Sequence, residues 1–215
     1  MAENLFEAQY DVTKKSKLKK FYDSYKIFIF SFVFILIILL GSVSFYLENK
    51  ENKKILLSEN YLQAKIYLER GDNNEALGIL KEIVFANDAT YSTLSVFLIL
   101  NENLITDNKE LSALFDHLLT NSKFPKELRN LLIYKKALFN SSFVDESEFL
   151  QSINPLLNKE SIWKPHALLL LGDYFVSKKE YIKAIEFYQE IFNINNLHQD
   201  FYSHARSQLT IITNE

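Results

Sequence analysis

The chain has 215 residues, with 24 Lys plus Arg against 27 Asp plus Glu, a formal net charge of -3. So even a balance excludes a polybasic nucleic-acid coat and an acidic solvating tail. Apolar residues at 48% exclude intrinsic disorder, four Gly and three Pro point to long helices, and zero Cys excludes disulfides, thiolate metal sites and a Cys nucleophile.

Residues 1–26 form a lysine-rich head. Ile27 to Leu47 follows as 21 residues without a charge. At 1.5 Å per residue these reach about 31 Å, the thickness of a bilayer's hydrocarbon core. Tyr22, Tyr25, Phe45 and Tyr46 flank the stretch where interfacial aromatics are favoured. Six Lys (14, 15, 17, 19, 20 and 26) precede it and three (50, 53 and 54) follow. That asymmetry predicts a cytoplasmic N-terminus, with residues 48–215 exported. Two rivals are a buried globular helix and a cleaved signal peptide with Ser42-Val43-Ser44 as its site. The 26-residue leader and the long apolar stretch suit neither a cleavable signal nor its usual apolar core. The lysines could bind RNA, but beside a span they read as a topology and anionic-lipid signal.

Beyond Leu47 apolar residues recur at helical spacing, predicting an all-α domain. Four Asp/Ser-x-x-Glu pairs precede apolar-periodic segments: Asp72/Glu75, Asp107/Glu110, Asp145/Glu148 and Ser177/Glu180. Each resembles a capping box. Their spacings of 35, 38 and 32 residues approach the roughly 34-residue period of tetratricopeptide (TPR) helix hairpins. Asn4/Glu7, Asn60/Gln63 and Asn196/Gln199 match the same loose pattern out of register.

In chain order the hairpins are Leu57 to Asp88; Tyr91 to Asn101 with Lys109 to Asn121; Pro125 to Asn140 with Glu146 to Leu157; and Pro165 to Asn196. A capping helix, Asp200 to Thr213, completes the array. Pro125 and Pro165 suit first helical positions. Gly172 and Ala184 are read as the contact between the last two antiparallel helices, since close approach needs small side chains. Gly71 supplies the turn that ends the first helix. An irregular helical bundle is the alternative.

The stretch Phe124-Pro125-Lys126-Glu127-Leu128-Arg129, then Ile153-Asn154-Pro155-Leu156-Leu157, Trp163-Lys164-Pro165-His166-Ala167 and Leu170-Leu171-Gly172, resembles the bacterial single-span inner-membrane TPR proteins of the YfgM type, ancillary to the Sec translocon. Lys164 stands where that family usually carries Arg, and Asn154 where Glu is commoner. The resemblance implies a membrane-anchored adaptor that docks periplasmic chaperones or clients near the translocon subunits, with no catalytic residues and no cofactor.

The residues themselves offer little chemistry. His117, His166, His198 and His204 lack the i, i+4 spacing of a helical metal pair. The four scattered Gly cradle no phosphate. Neither a nucleic acid nor a small-molecule substrate is expected as partner. Trp163 is read as packing between the third and fourth hairpins. In a TPR array the first helix of each hairpin lines the concave face, which turns Tyr61, Lys65, Leu68, His166, Leu169, Asp173 and Val176 inward as a candidate protein-binding groove. A carboxylate clamp is disfavoured, because Tyr61 with Lys65 and Leu169 with Asp173 occupy the places where Lys and Asn would stand. Two other readings remain: a periplasmic TPR factor for envelope assembly or cell division, and a structural subunit of a membrane complex.

Overall fold

The computed structural model describes residues 17–158 and 161–214. The chain divides into two compact units, Met1–Lys53 and Lys54–Glu215. Helix α1 runs from Lys17 to Arg70 through the division. Its continuity past Leu47 has a simple cause: no Gly or Pro stands between Gly41 and Gly71, and Glu, Lys, Gln and Leu in that interval are good helix formers.

In the first unit the helix is long and apolar enough to cross a membrane, and none of its most apolar window is buried. That lack of burial removes the reading as a globular core helix, which would have to cover such side chains. Lys14, Lys15 and Asn4/Glu7 lie outside the described residues.

The second unit is all helical among the described residues. After α1 come α2 (Asn73–Phe85), α3 (Tyr91–Asn101), α4 (Asn108–Asn121), α5 (Lys126–Asn140), α6 (Glu146–Ile153), α7 (Lys164–Ser177), α8 (Tyr181–Phe192) and α9 (Gln199–Thr213), with a 3-10 turn at Asn154–Leu157 after α6. These fall where the apolar periodicity expects them. From α2 onward, the substantial packing is between helices one or two places apart along the chain.

Two apolar clusters result. Ala64, Leu80, Val96, Phe115 and Leu132 belong to one, between α1 and α5. Ala137, Phe149, Leu171, Phe175 and Tyr188 belong to the other, between α5 and α9. Helix α5 therefore serves both, Leu132 facing one cluster and Ala137 the other. Each fully buried Leu, Ile or Phe contributes roughly 1.5–3 kcal/mol.

The helix ends explain the turns. After α1, Gly71 adopts φ +83, its N–H donates to Leu68 O at 3.0 Å, and Asp72 N–H donates to Tyr67 O at 2.9 Å. This is a Schellman ending, in which the left-handed residue lets two otherwise orphaned carbonyls be satisfied. The same pair of bonds ends α3 at Asn103 (φ 51) and α7 at Lys179 (φ 61). After α2 a side chain intervenes: Asp88 N–H donates to the Ser92 hydroxyl at 2.9 Å, and that hydroxyl donates to Ile83 O at 2.6 Å.

The four expected capping pairs are realised unevenly. Asp107 accepts from Lys109 N–H and Asp145 from Glu148 N–H, so both side chains cap their helices. Asp72 precedes α2 without a side-chain cap bond. Ser177 is instead the last residue of α7, its hydroxyl donating to Tyr174 O at 2.6 Å, and Glu180 is the N-cap of α8. The Schellman turn at Lys179 displaces the expected box by three residues. Asp88 supplies a cap outside the pattern, accepting from Thr90 and Tyr91 N–H ahead of α3. Pro125 is the N-cap of α5 rather than its first residue, and Pro165 lies in the first turn of α7.

Gly172 lies directly against Tyr188 of α8, and Ala184 is buried in the same apolar cluster. Both are buried, and a Cβ built on Gly172 would come 2.6 Å from Cζ and 2.8 Å from Cδ1 of Tyr188. That ring is fully buried, with its hydroxyl bonded to Asp173 at 2.6 Å, so it cannot swing aside cheaply. Gly172→Leu and Ala184→Leu should each cost roughly 1–3 kcal/mol or more by overpacking. Exposed Glu186→Ala should cost about 0.5 kcal/mol or less. Thermal unfolding of the full chain in detergent, followed by circular dichroism, checks this; equal shifts for Ala184→Leu and Glu186→Ala would show the contact to be misassigned.

Candidate functional site

The expected groove residues occupy two separate settings. Tyr61, Lys65 and Leu68 lie on α1. The Tyr61 ring sits 6.2 Å from that of Tyr91 on α3, and its partial burial raises the phenol pKa. Lys65 is exposed, and with Leu68, Glu69, Leu98 and Glu102 it lines a cleft of about 350 Å³ between α1 and α3. Lysine and two carboxylates at its edge give this cleft both signs of charge.

His166, Leu169, Asp173 and Val176 lie on α7. Leu169 and Val176 are half-buried against the second cluster, so their side chains act mainly as packing. His166 stands in an aromatic nest: ring centroids of Trp163, Phe201 and Tyr134 lie 5.0, 4.8 and 5.6 Å away. Tyr134 comes from α5 and Phe201 from α9, so the nest joins three helices at alternate places in the chain. Trp163 also sits 5.7 Å from Tyr134, packing between α5 and α7 as its position suggested. Buried Trp163 Nε1 and His166 Nδ1 have no hydrogen-bond partner.

Asp173 is a junction. One carboxylate oxygen accepts from the Tyr188 hydroxyl at 2.6 Å and from His204 Nε2 at 3.1 Å, linking α7 to α8 and α9. Burial first, then the bond to Asp173 and its charge, push the Tyr188 phenol well above its ordinary range. Burial and then the Asp173 charge raise Tyr134 as well. Sequence reasoning identified Asp173 but neither His204 nor Tyr134 as its neighbours. The available signal was the i, i+3, i+4 run Phe201, His204, Ala205 on α9, which marks the face turned to α7.

Among the described cavities, none is lined by both the α1 and the α7 sets. A further cavity of about 710 Å³ lies between the start of α7 and the end of α8. It is spanned by the Lys164–Glu190 ion pair at 2.5 Å. Among the described residues no group of three or more His, Asp or Glu is placed to hold a metal. What the surfaces offer is recognition chemistry: clefts with apolar floors, hydroxyls and isolated charges.

His166 gives the nest a pH dependence. Burial holds its pKa below the ordinary 6.5, so the native ring stays neutral where the unfolded chain already takes up a proton. Stability from this group is complete above the unfolded value and is lost as pH falls from there through the native one. His166→Phe, which keeps the aromatic packing, should flatten the decline of the unfolding midpoint below about pH 6.5. Parallel wild-type and variant curves across pH 7.5 to 4.5 would show that His166 does not titrate in this way.

Comparison of the chain with protein-family models, with curated protein sequences and with solved structures gives no match in any of the three.

Proposed function

We propose that the protein is a single-span membrane adaptor, its N-terminal head cytoplasmic and its second unit a periplasmic TPR-like array that recruits a chaperone or client beside the export translocon. On this reading it binds proteins and membrane lipid and catalyses nothing. The observation that carries it is the pairing of one uncovered apolar helix with a helical unit whose packing is confined to near neighbours along the chain. Near-neighbour packing is the signature of solenoids, which present extended surfaces to partners.

Further support comes from the Schellman endings at Gly71, Asn103 and Lys179, which close the first helices of three of the four proposed hairpins. The last helix fits a cap: Ala205 and Ile212 are buried, whereas Ser203, Arg206, Ser207 and Thr210 face outward. Ion pairs also connect second helices of adjacent hairpins, Lys81 to Glu110 and Lys183 to Glu146. Resemblance to the YfgM type along Phe124 to Gly172, together with six lysines before the span against three after it, supplies the location.

Two measurements test the adaptor. Single Cys residues at Ser16 and at exposed Ser207, in this Cys-free chain, should react differently with an impermeant maleimide in cells permeable across the outer membrane. Labelling at 207 alone is expected; labelling at 16 alone reverses the topology. Replacing Ile27 to Leu47 by an unrelated span of equal length should leave recovery of crosslinked partners unchanged, because the span carries no intramembrane charge to specify a helix partner. Loss of recovery would favour a structural membrane subunit.

A further inference from the structure

In the cleft between the C-terminal ends of α5 and α7, three of the lining side chains, Ser141, Asp173 and Ser177, turn acceptors to a ligand, and Lys178 is the cation among the lining residues. The volume of the cleft is about 330 Å³, small enough to suit one side chain. The Ser141 hydroxyl on its α5 wall donates to Leu138 O at 2.8 Å, and the Ser177 hydroxyl on its α7 wall donates to Tyr174 O at 2.6 Å. With both protons committed, each oxygen turns only lone pairs to a ligand. Asp173, on the same wall, is held by Tyr188 and His204 through one oxygen, leaving the other for an outside donor. Two helix C-termini meet here, and their dipoles add negative potential.

The surrounding charge agrees. Tyr174, at the cleft floor, has its pKa raised by burial and then by the carboxylates of Glu146, Glu180 and Asp145, with Lys183 opposing. The face of this ring already attracts a cation, since Lys178 Nζ lies 5.2 Å from its centroid. Leu138 and Leu170 supply apolar walls for a methylene stem.

We propose that this cleft receives a Lys or Arg side chain from an extended segment of the partner protein, displacing the Lys178 ammonium as it enters. The assignment rests on the adaptor reading and gives its partner a chemistry. A metal ion is a poor occupant, because Asp173 is the sole carboxylate among the lining residues.

The test uses the full chain in detergent micelles and a fluorescein-labelled peptide, Gly-Leu-Lys-Leu-Gly-Leu-Lys-Leu-Gly, with a norleucine-for-Lys version as control. The Lys peptide should bind at least about tenfold more tightly than the control, the scale of one charge-assisted hydrogen bond. Asp173→Asn keeps an acceptor for Tyr188 and His204 and should remove about that factor. Lys178→Gln should strengthen binding by about threefold, a cation–π contact's worth of competition, which a merely structural role would not produce.

Should Asp173→Asn fail to fold, Ser142→Arg at the exposed rim places a tethered guanidinium in the cleft and should block the Lys peptide. Equal binding of the two peptides, or Lys-peptide binding unchanged by Ser142→Arg, overturns the proposal. Photocrosslinkers at Ser142 and Lys65 in native membranes separate the two levels. Partner adducts at Lys65 alone leave the adaptor standing and remove the cleft; adducts at neither position remove both.

Discussion

The contact of Tyr188 with the bare backbone at Gly172 governs the best-packed part of the molecule. A fully buried tyrosine needs a partner for its hydroxyl, because an unbonded phenol in the core costs about 1–3 kcal/mol. Asp173 provides that partner, and it can do so because Gly172, one residue earlier, lets the ring lie flush against α7. The same carboxylate oxygen then receives His204, so the seating of Tyr188 on Gly172 also bears on how α9 is held. The fit of Tyr188, the satisfaction of its hydroxyl and one of the bonds that hold the last helix all meet at this missing side chain.

That arrangement also shows how structure and recognition share atoms. Asp173 spends one oxygen on internal order and leaves the other at a surface cleft. A carboxylate oriented in advance loses little freedom on binding, which is how a weak, exposed charge acquires selectivity. The nest around His166 is the opposite case, since its rings meet one another and its nitrogen is withdrawn from solvent.

Much of the fold was legible because its causes are local. Gly71 needed a positive φ, small residues at 172 and 184 marked a close helix pair, and the charge-free stretch from Ile27 announced itself by length. What escaped reading depends on residues that sequence does not bring together. Lys179 adopts a left-handed conformation with no glycine to signal it, so the Ser-x-x-Glu spacing points to Ser177 as a cap although this residue ends the preceding helix. Asp88 caps α3 without a glutamate three residues on. Of the groove set, Lys65 and Asp173 border clefts, whereas Leu169 and His166 are drawn into packing by neighbours from other helices. Helical periodicity gives the inward face but not which partner covers it.

The double membership of α5 has a bearing on cooperativity. With Leu132 in one cluster and Ala137 in the other, this helix can be released only when both halves of the unit have opened. Its amides should therefore be among the slowest to exchange with solvent, while α9, held from one side, frays on its own. Under the proposed solenoid reading, the unit would otherwise unzip stepwise from its ends. Sharing a central helix makes two neighbouring cores behave as a single unfolding unit.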